Sequence, residues 1–269
     1  MSGEATAYQR LREHLAYLKL TTAAEHLSHE LERAHREQLS ATQVLENLLQ
    51  LEVEETRARR RRGRLRFARY PLIRTLAEFD FDFQPSIDRK LVAELSTLRF
   101  VSERRNVLLL GPPGVGKTHL AIALGVAATE AGYQTYFTSA AEMVHNLQAA
   151  HLAGNARYTM RLYLTPTVLV IDELGYLPMD QDSANWIFQV VSRRYEKRAP
   201  IILTSNRGFS DWGQIFADQV VAAAIVDRLL HNAVVLNIRG RSYRMRAHQD
   251  ALTEQRPGTA RAPESGRAS

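Results

Sequence analysis

The sequence contains no cysteine, only four lysines and only two tryptophans. The absence of cysteine excludes disulfide bonds and zinc sites built on thiolates. No apolar run approaches the roughly 18 residues that a membrane-spanning helix needs. The N-terminal stretch MSGEATAYQRLREHL is polar and does not have the apolar segment of a secretory signal. We therefore expect a cytoplasmic protein with no membrane partner.

Positive charge is concentrated in one short stretch of the chain. Of the 269 residues, 45% are apolar, which suits one large domain with a smaller one beside it. The net charge is +6, yet residues 1–56 hold ten acidic and five basic side chains, and residues 57–74 hold nine arginines and no acid. Such a run repels itself unless a polyanion neutralises it. We interpret it as a nucleic-acid-binding segment; the alternative is a solvated linker. The candidate contacts are Arg57, Arg59, Arg60, Arg61, Arg62, Arg64, Arg66 and Arg69.

The pattern of apolar residues changes near residue 86. Before it, apolar spacing predicts helices at 7–20, 23–38 and 41–62, with capping boxes that begin at Thr22 and Ser40. Phe79, Phe81 and Phe83 alternate with aspartates, which predicts an extended segment packed on the next domain. After it, predicted strands at 106–110, 133–139, 167–172, 200–205 and 233–238 alternate with helices at 117–130, 140–152, 183–198 and 219–231. This alternation predicts an α/β domain with a parallel sheet that is covered on both faces.

A glycine-rich loop follows the first predicted strand. GPPGVGKT at residues 111–118 matches the phosphate-binding loop motif and opens a predicted helix. Its backbone N–H groups and the helix N-terminus suit phosphate, Lys117 would reach the β- and γ-phosphates, and Thr118 would ligate Mg²⁺. His119 is expected to pack beside the loop without a catalytic role. The nucleotide-binding residues are Gly111, Pro112, Pro113, Gly114, Val115, Gly116, Lys117, Thr118 and His119.

Two acidic residues end a later strand, 55 positions after Lys117. In VLVIDE, Asp172 would hold the metal and Glu173 would act as the general base that polarises the attacking water. This pair favours an ATPase over a small-molecule kinase, for which no acceptor site is evident. Asn206 follows another strand and is the first candidate to orient that water, ahead of Thr204 and Ser205. The alternative role for Asn206 is in a helix cap or a turn.

Two arginines are further candidates near the γ-phosphate. Arg228, in AIVDRLL, is a candidate arginine finger supplied to a neighbouring subunit, and Arg244, in SYR, is a candidate contact within the same subunit. A surface ion pair is the alternative for each of them.

Taken in order, GPPGVGKTHLA, VLVIDELGYLP, RRYEKRAPIILTSN, AAAIVDRLLH and GRSYR resemble the IstB-type transposition helper ATPases of bacterial insertion sequences. The resemblance covers roughly residues 8–247 and extends to the related helicase loader DnaC. It implies an AAA+ P-loop domain at 99–247, an all-helical DNA-binding and assembly domain at 1–70 and a connecting segment at 71–98. The polar composition of residues 248–269 predicts a disordered tail. The resemblance also implies that Asn206 and Arg244 are sensor residues, that Arg228 is the arginine finger, and that ATP lies at the interfaces of a homo-oligomer. The arginine cluster is denser than the family pattern leads one to expect.

The function implied by this resemblance is ATP-dependent, sequence-nonspecific assembly on duplex DNA, with Mg²⁺ as the second cofactor. The assembled protein would deform the DNA and present it to a cognate transposase. A loader of a replicative helicase is the main alternative, and the acidic helices of residues 1–56 would then be the surface for the helicase. A nucleotide switch without hydrolysis is a further alternative, which Glu173 disfavours because a switch needs no base beside the metal.

Overall fold

The computed structural model describes residues 2–176, 179–216 and 218–246. Two compact units divide the chain, Met1–Arg66 and Phe67–Ser269. The segment 71–98, which we expected to be a connector, therefore belongs to the second unit. The expected disordered tail at 248–269 lies outside the described residues, and the predicted domain boundaries stay predictions.

The first unit is built of three helices. They are α1 (Ser2–Tyr17), α2 (Thr21–Glu37) and α3 (Ala41–Ala68), the last of which continues into the first two residues of the second unit. Ala23, Leu27 and Leu48 form its small buried core. The three predicted helices are thus confirmed, but α3 continues beyond the expected end at residue 62.

Two predicted caps in this unit have different outcomes. The capping box of α3 is confirmed, because the Ser40 N–H donates to Gln43 Oε1 at 2.8 Å and the Gln43 N–H to Ser40 Oγ at 3.3 Å. The box at Thr22 is wrong, since α2 already begins at Thr21. The Ala23 N–H at this helix start donates instead to the buried carboxylate of Glu52, at 3.1 Å. A residue 29 positions away thus satisfies a donor that local pairing leaves open.

The second unit contains a five-stranded parallel sheet. The strands are β1 (Asn106–Leu110), β2 (Thr135–Ser139), β3 (Val168–Leu174), β4 (Ile201–Ser205) and β5 (Ala233–Asn237), in the order β2-β3-β4-β1-β5. Every neighbouring pair is parallel, so the predicted α/β sheet is confirmed. Because parallel strands share their direction, the residues that follow β1, β3 and β4 lie at one edge.

Helices cover both faces of this sheet over two apolar clusters. Those of the second unit are α4 (Arg89–Ser96), α5 (Arg99–Ser102), α6 (Lys117–Glu130), α7 (Ala140–Leu152), α8 (Ala156–Leu164), α9 (Gln181–Glu196), α10 (Trp212–Ile215) and α11 (Gln219–Leu230). Apolar spacing did not predict α8, which buries Met160 and Tyr163. No helix among the described residues is long and apolar enough to cross a membrane.

The segment with three phenylalanines is not extended as predicted. It follows a short 3-10 helix (Leu76–Glu78) and forms turns, in which the Asp80 carboxylate accepts the Phe83 N–H at 2.9 Å. An aspartate side chain that binds the backbone in this way competes with a strand ladder. Phe79 and Phe81 nevertheless pack against the core of the second unit, as the sequence predicts.

Candidate functional site

The glycine-rich loop connects β1 to α6 at the carboxyl edge of the sheet. Gly114 and Gly116 have φ of +82° and +96°, a region that glycine adopts without steric cost. A side chain at Gly114 would collide with Ser242, and one at Gly116 with the ring of Phe79. The loop therefore curls closely against two other segments and ends at the N-terminus of α6, where backbone N–H groups and the helix dipole favour an anion.

The ammonium group of Lys117 lies over this loop. Its Nζ donates to the carbonyl oxygens of Gly111 at 2.7 Å and Pro112 at 2.8 Å. Burial lowers its pKa from the ordinary value, the nearby Asp172 opposes this shift, and the charge of Arg244 adds to it. The fold therefore places Lys117 close to Asp172 and Arg244, as the sequence predicts.

The ends of β3 and β4 bring Asp172, Glu173 and Thr204 close to Thr118 at the start of α6. Thr118 Oγ1 donates to the Asp172 carboxylate, at 2.9 and 3.1 Å from its two oxygens. Thr204 Oγ1 donates to Asp172 Oδ1 at 2.5 Å and accepts the backbone N–H of Glu173 at 2.9 Å. Asp172 is buried and the side chain of Glu173 is exposed. The charge of Glu173, the predicted base, acts on Lys117, but the exposed side chain lines a separate cavity together with Ser139 and Tyr176.

The donor set fits Mg²⁺, which prefers oxygen ligands and usually binds through one or two carboxylates together with substrate phosphates. A hydroxyl and a carboxylate, those of Thr118 and Asp172, adjoin the phosphate loop. Over the described residues, no group of three or more histidine, aspartate or glutamate side chains is placed to hold a metal ion. A metal held mainly by protein ligands is therefore not indicated in this part of the chain.

Asn206 directly follows β4. Its Oδ1 is buried without a hydrogen-bond partner among the described residues. It is not the cap of the short 3-10 helix that follows, whose N-cap is Gly208. A buried acceptor without a partner can accept a hydrogen bond from the attacking water. The helix-cap alternative has no support, whereas the backbone bends at Asn206 and the turn alternative stays open.

A cavity of about 400 Å³ adjoins the loop. The loop, α6 and Arg244 line one side of it, and the segment from Pro71 to Gln84 lines the other. His119 lines it as well, with Nε2 2.9 Å from the Thr75 carbonyl oxygen and its ring edge-on to Phe79. Apolar spacing alone did not reveal that this segment forms a wall of the cavity. The close approach of Phe79 to a loop glycine is visible only in three dimensions.

Arg228 lies away from the loop. Its Nη1 donates to the Ala224 carbonyl on α11 at 2.8 Å, and its guanidinium lies 5.0 Å from the centre of the Phe188 ring. It lines a second cavity together with Asn106 and Ile201, the residues that begin β1 and β4. Arg228 is therefore associated with the amino edge of the sheet, opposite the edge that holds the loop of the same chain.

The arginines of α3 divide between two faces. At 3.6 residues per turn, Arg57, Arg60, Arg61 and Arg64 share one face, and Arg59, Arg62 and Arg66 share the opposite one. Two members of the second face pair with acids of the same helix, Arg59 with Glu52 at 3.7 Å and Arg62 with Glu55 at 2.6 Å.

Arg69 differs from the other predicted contacts. It follows the end of α3 with φ of +56° and belongs to the second unit. Its Nη1 donates to the Tyr136 hydroxyl at 3.2 Å, and this hydrogen bond is the main cause of its raised pKa. Arg69 is thus separated from the helical arginines by the end of the helix.

Comparisons with known proteins agree with this geometry. The family described as IstB-like ATP binding protein matches residues 13–251. A protein of Geobacillus stearothermophilus, named as an ATP-binding protein of insertion sequence IS5376, is 44% identical over 88% of this chain and 94% of its own length. Its counterpart for IS21 in Pseudomonas aeruginosa is 46% identical over 88% of this chain and 89% of its own length.

Solved structures share the fold of this chain. DnaI matches with a TM-score of 0.52 and 21% identity over 66% of this chain and 92% of its own. DnaA of Aquifex aeolicus bound to AMPPCP matches with 0.51 and 20% identity, over 69% of this chain and 56% of its own. At this level of identity the likeness shows the fold alone, which is the AAA+ P-loop α/β fold.

Proposed function

The chain belongs to the family of IstB-like ATP binding proteins, which are AAA+ proteins of insertion sequences, and we propose that it hydrolyses ATP to ADP and phosphate. It does so while it assembles on duplex DNA in the cytoplasm. The assembled protein presents that DNA to the transposase of its insertion sequence. The observation that carries the ATPase proposal is the contact of Thr118 with Asp172 beside Glu173, at the end of the phosphate loop.

Each residue of this site has a definite part in the proposed hydrolysis. The loop N–H groups and Lys117 bind the phosphates, and Thr118 and Asp172 would hold Mg²⁺. When bound, the metal would supply positive charge beside the transferred phosphoryl group. Glu173 takes the proton of the attacking water, and Asn206 orients that water.

The position of Arg228 supports a site that two subunits share. Since Arg228 is associated with the edge opposite its own loop, it contacts the γ-phosphate of a neighbouring subunit, whereas Arg244 contacts that of its own. Assembly of the subunits therefore depends on whether ATP or ADP is bound. Hydrolysis loosens the interface between subunits and releases the DNA.

The arginines of α3 support binding to the DNA backbone. Guanidinium groups make bidentate contacts with phosphate, and phosphate contacts do not read the base sequence. Repetition of the same helix in every subunit multiplies weak contacts along one duplex. Arg69 stays a predicted DNA contact, but its hydrogen bond to the Tyr136 hydroxyl makes it a weaker candidate than the arginines of α3.

The transposase is favoured over a replicative helicase as partner because the curated relatives are named for insertion sequences. The loader alternative rests on the resemblance to the helicase loader DnaC and on the acidic helices of residues 1–56, and a shared fold does not by itself identify a partner.

The decisive experiment is sedimentation of the protein with duplex DNA, with and without ATP, across a salt series. We expect large complexes that require both ATP and duplex and that weaken steeply as salt rises. Complexes that form with a replicative helicase and are indifferent to duplex would replace this proposal with the loader function.

A further inference from the structure

The pairing of β3 with β4 is irregular where the acidic pair lies. Ile171 pairs with Leu203 and Leu174 with Ser205, so two residues of β3, Asp172 and Glu173, lie opposite a single residue of β4, Thr204. A bulge of this kind leaves backbone groups without ladder partners and redirects a side chain.

Thr204 compensates for the irregularity with its side chain. A hydroxyl has one proton to donate and two lone pairs to accept. Its proton goes to Asp172 Oδ1 at 2.5 Å, and a lone pair takes the Glu173 N–H at 2.9 Å. Thr204 is buried, with 1% of its surface exposed, so water does not readily substitute for these bonds.

Glu173 needs such support because its backbone is strained. Its φ is +60°, a left-handed conformation that is unfavourable for a residue with a side chain and that persists only when its surroundings enforce it. The flanking residues Asp172 and Leu174 are buried, whereas Glu173 is exposed. The hydrogen bond from the Glu173 N–H to the Thr204 hydroxyl stabilises this strained backbone conformation.

We propose that Thr204 is a positioning residue for ATP hydrolysis, which holds Glu173 in its left-handed conformation and orients Asp172 through one hydroxyl group. The inference rests on the ATPase function proposed above and assigns Thr204 no contact with the nucleotide. Its role differs from that of Asn206, which acts on the attacking water.

The test compares Thr204→Val, which keeps the shape and removes the hydroxyl, with Thr204→Ser, which keeps the hydroxyl. We expect Thr204→Val to lower kcat by about 100-fold, the scale of a small misplacement of a catalytic group, without a matching change in ATP affinity. Thr204→Ser should restore turnover.

Thr138→Val is the matched control. Thr138 is also 1% exposed, near the end of β2 on the other side of β3, but its hydroxyl donates to the Ser139 carbonyl and not to a site residue. An equal loss of kcat in Thr138→Val, or no rescue by serine, would overturn the proposal.

A double variant separates positioning of Glu173 from general damage. In a Glu173→Gln background the base is already absent, so Thr204→Val should lower kcat by a smaller factor than in the unmodified protein, since only the orientation of Asp172 is then affected. A full additional loss would contradict the role at Glu173. If the unmodified protein turned over no ATP, the ATPase proposal itself would fail; an active protein with an active Thr204→Val variant would refute only this inference.

Discussion

The hydroxyl of Thr118 lies 2.9 Å from the carboxylate of Asp172, although 54 positions separate the two residues. One opens the helix that follows the phosphate loop, and the other lies near the end of β3. The two strands that lead to them are not neighbours in the sheet, because β4 lies between β1 and β3. Parallel strand direction nevertheless delivers both side chains to one edge, where they form the core of the candidate ATPase site.

Replacement of the proposed base should separate binding from turnover. We expect Glu173→Gln to bind ATP and DNA normally but to lose at least about 100-fold in kcat, the usual contribution of a general base. DNA should then stay bound in the presence of ATP, which a DNA-release assay measures. Rapid release of DNA by this variant would contradict the coupling of hydrolysis to release.

Mixing two inactive variants should test the shared site. Lys117→Ala removes the phosphate-binding amine, and Arg228→Ala removes the arginine proposed to act on the neighbour. If Arg228 acts between subunits, the mixture contains interfaces with an intact lysine on one side and an intact arginine on the other. ATP turnover by the mixture should exceed that of either variant alone. A mixture no more active than its components would argue against action between subunits.

The two faces of α3 should differ in their effect on DNA binding. Arg57→Ala with Arg60→Ala removes charge from one face, and Arg59→Ala with Arg62→Ala removes the same charge from the face that pairs with Glu52 and Glu55. The first pair should reduce the slope of binding against salt by about one for each DNA phosphate that the protein no longer neutralises. The second pair is the charge-matched control and should change the slope less. Equal effects would indicate that only total charge matters.

The buried carboxylate of Glu52 should stabilise the first unit. Glu52→Ala leaves the Ala23 N–H at the start of α2 without its acceptor, which costs about 1–3 kcal/mol of stability. Hydrogen exchange along α2 should accelerate accordingly. Glu54→Ala, at an exposed position of the same helix, is the control and should leave this exchange nearly unchanged.

Acid should weaken the cap of α11. The Asp218 carboxylate accepts the N–H groups of Val220 and Val221, and these bonds hold its pKa below the ordinary value. The folded state therefore binds this proton less readily than the unfolded state. The cap's contribution is complete above the ordinary aspartate pKa of about 4 and is lost as the pH falls through the lower folded value.

Asp218→Asn provides the comparison, because asparagine caps a helix without titrating in this range. Melting temperatures measured from neutral pH to below pH 4 should show the advantage of the unmodified protein shrinking with acidity. A difference between the two proteins that does not change with pH would refute the role of the charged cap.

Local sequence determined the elements that depend on neighbouring residues. Three kinds of element were predictable because each consists of residues that are adjacent in the sequence. They are the glycine loop, the capping box at Ser40 and the strands near Gly111, Glu173 and Asn206. A parallel sheet then follows from alternation, since buried strands need helices on both faces. The identities of the candidate base and metal-binding acid followed in the same way from residue type and position.

Only the tertiary structure decided what depends on residues far apart in the chain. Thr204 supports Glu173 because of a bulge between two strands, and Glu52 caps a helix 29 positions away. The turns near Phe79 cover the phosphate loop although their alternating sequence predicted an extended segment. Sequence patterns report periodicity and local hydrogen bonding, whereas strand register and the paths of loops are set by packing between elements. That packing therefore determines which side chains form hydrogen bonds with the residues of the candidate site.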